Sequence, residues 1–257
     1  MLLTARCSPC VCSLDFMSSH YRRYAAAALI YAAGFAYILL RWDAIPDPVP
    51  IHVGPTGEAD SFAPKTLLSA SLLMIVGVVL SAVMPLFLPP RSLARHTVEV
   101  PAEGALPVSE TAARRVEKLC DASADVICKM ILAMAALFAV MNISMVVPDV
   151  KLPFWLEIVL WIGFTVYVVV IAVRMTSAKD GIEPDAEEQV RNENLRYQGG
   201  MGTYSAPNDP MAVAVLPSNP GKIAVNTAHA PGKQYLRRVV VSVVVLVAVT
   251  MAIVVAM

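Results

Sequence analysis

Apolar and polar positions alternate along this chain in long blocks. Five apolar runs of about twenty residues are separated by polar stretches, and a run of that length suits a helix rising ~1.5 Å per residue across a hydrocarbon core of roughly 30 Å. The first run is Tyr21–Leu40, and the second is Thr66–Leu88, with Pro85 in its last turn and Pro89-Pro90 ending it. The third is Val126–Val147, closed by Pro148, and the fourth is Phe154–Val173. The fifth, Val239–Met257, is nearly all Val, Ala, Met, Ile and Leu. Valine favours strands in water, but in lipid a backbone must satisfy its own hydrogen bonds, so helix is expected here.

The pattern predicts an all-α membrane protein with about five transmembrane helices. Residues 21–88 form a first helix hairpin, 126–173 a second, and 239–257 the last helix. Residues 89–125 read as a linker followed by an amphipathic helix. Ser109 and Glu110 suit its start, and Val116, Leu119 and Ala122 recur at helical spacing. This helix is expected to lie at the membrane surface and run into the third span. Residues 174–238 read as a small β-rich module, because Met211–Leu216 and Lys222–Val225 are short apolar pieces set among turn residues. The polar segment before them, starting at Asp180, is expected to be partly helical.

Within the first hairpin lies the stretch Trp42–Lys65, WDAIPDPVPIHVGPTGEADSFAPK. Its Pro and Gly content argues against helix or regular strand. Pro46, Pro48 and Pro50 favour an extended, polyproline-like path, and Gly54, Pro55 and Gly57 mark a turn. Ala28, Ala32 and Ala36 stand at four-residue spacing in the first span near Gly34, a pattern that lets another helix approach closely.

Composition strengthens the membrane reading: 57% of the 257 residues are hydrophobic and 16% charged, against roughly 25% charged in a soluble domain. Net charge is zero, which gives no overall pull toward nucleic acid. The distribution of charge says more. Arg41, Lys65 and Lys151 lie on one side of the spans and the other seventeen of twenty basic residues on the opposite side. The basic side is the cytoplasmic one, so the N-terminus is expected inside, the 174–238 module in the cytoplasm and the 42–65 loop outside.

Candidate chemistry is sparse. Cys7, Cys10 and Cys12 have no completing ligand nearby, and residues 1–20 read as an N-terminal extension with Met17 as a possible start. In the outward loop, His52 with Asp43, Asp47, Glu58 and Asp60 offers hard and borderline ligands, but not at the spacing of a helix-borne metal motif. The plainer expectation is a folded loop in which Asp47 and Asp60 cap turns and His52 bonds to backbone. No metal, cofactor or catalytic residue is expected. Lys129 can snorkel, Glu157 suits the interface, and Asn142 suits helix-to-helix bonding, so no chain of acids crosses the bilayer. In the module, Tyr204, Asn208, Asp209, Asn226 and His229 are either ligand groups or parts of a compact structural loop.

The 42–65 stretch resembles the signature of a prokaryotic membrane family, domain of unknown function 1648. The family pattern is an aromatic, then L/I-P-D-x-I/V-P-x-H, then Gly, Asp and Lys. Trp42, Ile45, Pro46, Asp47, Val49, Pro50, His52, Gly57, Asp60 and Lys65 match it, and Val53 stands where the family usually has Phe. A second segment is similar to a Y-x-N-P-x-D-P…V-P…G…N…H-P motif that often accompanies the domain. Tyr204, Pro207, Asp209, Pro210, Pro217, Gly221, Asn226 and His229 match, while Met211 replaces an expected Arg. The resemblance implies a multi-pass protein of the prokaryotic cytoplasmic membrane. It also implies kinship with toxin-immunity membrane proteins, including one that answers a sporulation-delaying peptide toxin. A binding or sensing role follows from it, with a peptide, envelope component or membrane protein as partner in addition to the lipid bilayer. The alternative is an envelope transporter or a metal-dependent membrane enzyme built on the His52/Asp60 loop.

Overall fold

The computed structural model describes residues 9–176, 181–198 and 202–255. The chain is mostly helical, and five helices among the described residues are long and apolar enough to cross a membrane: His20–Leu40, Leu72–Arg95, Glu110–Val146, Phe154–Met175 and Ala230–Ile253. The chain divides into two compact units, one made of residues 1–81, 127–167 and 250–257, the other of 82–126 and 168–249.

In the first unit, α1 (Pro9–Leu40) reaches well upstream of Tyr21, so helix continues back through most of the stretch read as an extension. Residues 1–8, with Cys7, lie outside the described residues. The face of α1 that packs carries Ala27, Tyr31, Gly34 and Ile38. A side chain at Gly34 would meet the Met74 sulfur at 2.5 Å, and one at Gly77 would meet the Tyr31 hydroxyl at 2.5 Å and Phe138 at 2.8 Å. These two glycines let α1 approach α3 (Leu72–Val83) and α4 (Glu110–Val146). The Ala28, Ala32 and Ala36 stripe does not serve that approach, because all three remain exposed. Helical phase explains the difference: 27, 31, 34 and 38 share one face, and the alanines sit beside it.

The second apolar run is not one helix. Thr66 caps the short α2 (Leu67–Ala70) through a capping box with Ser69, and Ser71 breaks it from α3. A break inside an apolar segment strands backbone groups that need partners. Asn142, wholly buried on α4, supplies them: its amide donates to the Ala70 carbonyl at 2.8 Å, and its side-chain oxygen accepts from Leu73 N–H at 3.0 Å and Met74 N–H at 3.4 Å.

The 42–65 stretch does form regular strand, contrary to the expectation from its prolines. β1 (Val49–Val53) pairs antiparallel with β2 (Ala59–Ala63). The register runs Val49 to Ala63 and Pro50 to Phe62, then shifts around Ile51 before His52 meets Ser61. A two-stranded ribbon tolerates proline because each strand has an unpaired edge where a missing N–H costs nothing. Val49 and Ala63 are buried and anchor the ribbon.

In the second unit, three strands form a small sheet in the order β3-β5-β4: β3 (Thr203–Tyr204) runs parallel to β5 (Ile223–Asn226), and β4 (Val213–Val215) antiparallel to it. The two short apolar pieces read as β-rich form the antiparallel pair β4–β5, with β3 added from the loop before it. The first turns of α4, α6 (Ala186–Leu195) and the first turns of α7 (Ala230–Val255) complete the module. Ser109 accepts from Ala112 N–H at 2.9 Å and so caps α4. The amphipathic segment runs into the third span as expected, and the two form one 37-residue helix. Its apolar positions are covered by protein: Val116 and Cys120 cluster with Ala94, Val213 and Val225. Covering them with the sheet removes the apolar face that would have held the helix to lipid. At the start of α7, a side chain at Gly232 would overlap the Asn226 carbonyl oxygen, so the helix rests directly on the end of β5.

Candidate functional site

The base of the β1–β2 ribbon is held by a clasp. The Lys65 ammonium donates to the Ile45 carbonyl at 2.7 Å and stands 5.2 Å from the centre of the Trp42 ring, while the Lys65 backbone N–H donates to Asp47 Oδ1 at 3.3 Å. The tip is a tight turn in which Gly57 N–H donates to the Gly54 carbonyl at 3.0 Å. Gly57 has φ +83°, and a Cβ there would lie 2.6 Å from Phe154. Both conditions call for glycine. Trp42, Asp47, Gly57 and Lys65 therefore shape the ribbon, with Pro50 buried in β1 and Pro46 exposed at its foot.

His52 and Asp60 differ from this group. Their side chains face solvent at 64% and 51% exposure, joined by a 2.5 Å contact between His52 Nδ1 and Asp60 Oδ1. An exposed pair of this kind contributes little to stability, ~0–1 kcal/mol. The side-chain partner also corrects the expectation that His52 bonds to backbone. Asp60 meets the His52 ring rather than a turn amide, and it is Asp47 that accepts from the Lys65 N–H.

Beside the ribbon opens a groove of about 310 Å³. Ile51, His52 and Val53 of β1 form one wall, and Leu72, Leu73 and Val76 of α3 form another. Met141 and Met145 of α4 and Glu157 and Trp161 of α5 (Phe154–Thr176) close it. Glu157 is fixed by Ser144, whose hydroxyl donates to Glu157 Oε1 at 2.8 Å and accepts from Leu152 N–H at 2.9 Å. The Asp149 carboxylate is occupied by an ion pair with Arg41. Sequence reasoning picked out His52 and Asp60 together in the loop, and Glu157 apart from them. It missed that His52 and Glu157 line one apolar groove, because the α3 and α4 residues involved carry no chemical mark beyond hydrophobicity.

The second set of candidates is arranged inward. Asp209 is fully buried and accepts from Arg191 Nη1 at 2.6 Å, Arg191 Nη2 at 2.8 Å, the Tyr204 hydroxyl at 2.8 Å and Met211 N–H at 2.9 Å. Burial and the Asp209 charge push the Tyr204 phenol well above its ordinary range, so it stays protonated as a donor. Asn226 pins the same loop, donating to the Ala206 carbonyl at 2.9 Å and accepting from Ala228 N–H at 3.1 Å. His229 Nε2 donates to the Asp209 carbonyl at 2.8 Å, and the Pro210 carbonyl accepts from Val98 N–H at 2.8 Å. Met211, where the resemblance expects Arg, is buried against Ala112 and Ala113. Tyr204, Asp209 and Asn226 spend their polar atoms on one another and on backbone, which leaves them shaping the module. Arg191, the partner of Asp209, was not anticipated; it is the basic side chain within an acidic helix, AEEQVRNENL.

A third cluster joins α4 to α6. Asp185 accepts from Ser109 Oγ at 2.8 Å, Thr111 N–H at 3.1 Å and Glu188 N–H at 2.7 Å. Burial pushes its carboxyl up, but these hydrogen bonds outweigh it and hold the group below the usual carboxylate range. Arg115 pairs with the buried Glu188 at 2.8 Å.

Among the described residues, no group of three or more His, Cys, Asp or Glu side chains is placed to hold a metal ion. His52 and Asp60 supply two ligands of the four that zinc normally takes. No curated protein and no solved structure matches the chain. Residues 29–78, which take in the last third of α1, the ribbon and its clasp, α2 and the first half of α3, match the family model described as domain of unknown function (DUF1648). The residues that shape the ribbon and those that stand exposed on it fall in that match, and the chain is a DUF1648 domain-containing protein.

Proposed function

We propose that this is a multi-pass protein of the prokaryotic cytoplasmic membrane that recognises a partner at the outer face, without catalysis. In this reading the N-terminus and the β-rich module are cytoplasmic, and the ribbon with its groove faces outward. The positive-inside bias supports the orientation: Arg41, Lys65 and Lys151 are the exceptions among twenty basic residues. The observation that carries recognition is the contrast within the DUF1648 motif. Its Trp42, Asp47, Gly57 and Lys65 are spent on building the ribbon, while His52 and Asp60 are held outward beside an apolar groove. A rigid ribbon that displays an exposed polar pair next to apolar walls is what a binding surface needs.

The test uses cells in which deletion of the gene changes a measurable response to an envelope stress. His52→Ala and Asp60→Ala proteins, present at wild-type level, should reproduce the deletion response. A single cysteine at Thr56, in a cysteine-free background, should react with an impermeant maleimide in intact cells. A wild-type response from both variants, or labelling only after lysis, overturns the reading.

A further inference from the structure

We propose that the groove beside the ribbon takes an extended, cationic and apolar peptide segment, with aliphatic side chains against its walls and an ammonium or guanidinium group at Glu157. The proposal rests on the outward-facing recognition reading above and names its ligand class.

Three observations converge. The first is the lining: apart from His52 and Glu157, every lining residue is apolar. Its volume of about 310 Å³ suits a few side chains rather than a packed helix or a domain. The second is charge. The segments 41–65 and 148–157 carry Asp43, Asp47, Glu58, Asp60, Asp149 and Glu157 against Arg41, Lys65 and Lys151. Two of those three cations are engaged: Arg41 is paired with Asp149, and Lys65 is turned onto Ile45 and Trp42. A negative excess around a low-dielectric groove attracts and orients a cation. Glu157 lines the groove with Oε1 held by Ser144, a bond that does not involve Oε2.

The third observation separates a peptide from a lipid. One wall of the groove is a β-strand, and β1 has a strand neighbour on one side only. Such a strand leaves alternate N–H and C=O groups unpaired, and an extended peptide can use them while a hydrocarbon tail cannot. Pro50 removes one donor from that edge, so the usable part is Ile51–Val53, which is the part that lines the groove.

The full chain in phosphatidylcholine nanodiscs is titrated calorimetrically with the synthetic peptides Ac-KLVLK-NH2, Ac-QLVLQ-NH2 and Ac-ELVLE-NH2, subtracting the heats of empty discs. The lysine peptide should bind, the glutamine peptide roughly fivefold to tenfold more weakly, and the glutamate peptide more weakly still. Glu157→Gln keeps the acceptor for Ser144, so it should fold; it should bring the lysine peptide down to the level of the glutamine peptide. Val76→Trp should block binding of both. Equal affinity for all three peptides, or an unchanged lysine peptide in Glu157→Gln, overturns the charge selection while leaving groove recognition standing. Heat no larger than that of empty discs overturns the peptide assignment, and the cellular test of His52 and Asp60 then decides the broader reading separately.

Discussion

Removing the Asp209 carboxylate should open the β-rich module. Arg191 and Asp209 have side-chain exposures of 2% and 0%, so Asp209→Ala leaves a guanidinium buried without its counter-charge. Stranding one member of a buried pair costs about 3–5 kcal/mol. The same change strips an acceptor from the Tyr204 hydroxyl and from Met211 N–H. The hydroxyl keeps the Met211 carbonyl at 3.3 Å, so about 1 kcal/mol is added, chiefly for the stranded amide. The sum, about 4–6 kcal/mol, is comparable with the whole stability of an ordinary domain. Hydrogen exchange on the full chain in detergent reads this directly. Amides of β4 and β5 should exchange about a thousandfold to ten-thousandfold faster in Asp209→Ala than in wild type, while those of α1 around Tyr31 stay protected. Replacing both partners, Arg191→Met with Asp209→Leu, removes the unpaired charge and should recover at least half of the lost protection. Wild-type protection in β5 of Asp209→Ala, or a double variant worse than the single one, would refute the reasoning.

Asn142→Leu should loosen the junction of α2 and α3 by about 1–3 kcal/mol, since the Ala70 carbonyl and the Leu73 N–H lose their partner inside an apolar unit; thermal denaturation in detergent checks it. Gly57→Ala combines positive φ with a clash at Phe154 and should cost about 2–3 kcal/mol in ribbon protection, whereas Gly104→Ala, at φ +74° with open space around it, should cost about 1. Asp185 binds its proton more weakly in the folded module than in the unfolded chain. Its stabilising effect is therefore present above the ordinary carboxylate value of about 4 and is lost as pH falls through the lower folded-state value. Pepsin cleavage within residues 182–198 should accelerate as pH drops below about 4 in wild type, and Asp185→Asn should flatten that dependence.

The helices were legible in the sequence because an apolar run of about twenty residues is a long, unbroken signal: Phe154, Pro148 and Leu40 mark ends that the structure repeats to within a few residues. What stayed hidden was whatever depends on long-range partners. The break at Ser71 has no local punctuation of the Pro or Gly kind, and only Asn142, far along the chain, gives its backbone groups partners. The ribbon was masked by Pro46, Pro48 and Pro50, although Val49, Ile51 and Val53 already alternate around them. The resemblance picked out His52 and Asp60 as well as Asp47 and Lys65, yet motif membership does not say which side chains build and which face out. Likewise Asp209 read equally as ligand group or structural anchor until Arg191 supplied its partner.

Gly232 has a consequence for the last helix. A valine-rich rod such as Val239–Val249 looks much the same from every side, so its own side chains say little about which way it should turn. The bare backbone at Gly232 rests on the Asn226 carbonyl, and Asn226 is locked in turn to Ala206 and Ala228. The azimuth of α7 is therefore dictated from its first turn, much as a key's bow sets the angle of its blade. A bulkier residue at 232 would rotate or lift the rod without altering a single residue within the span.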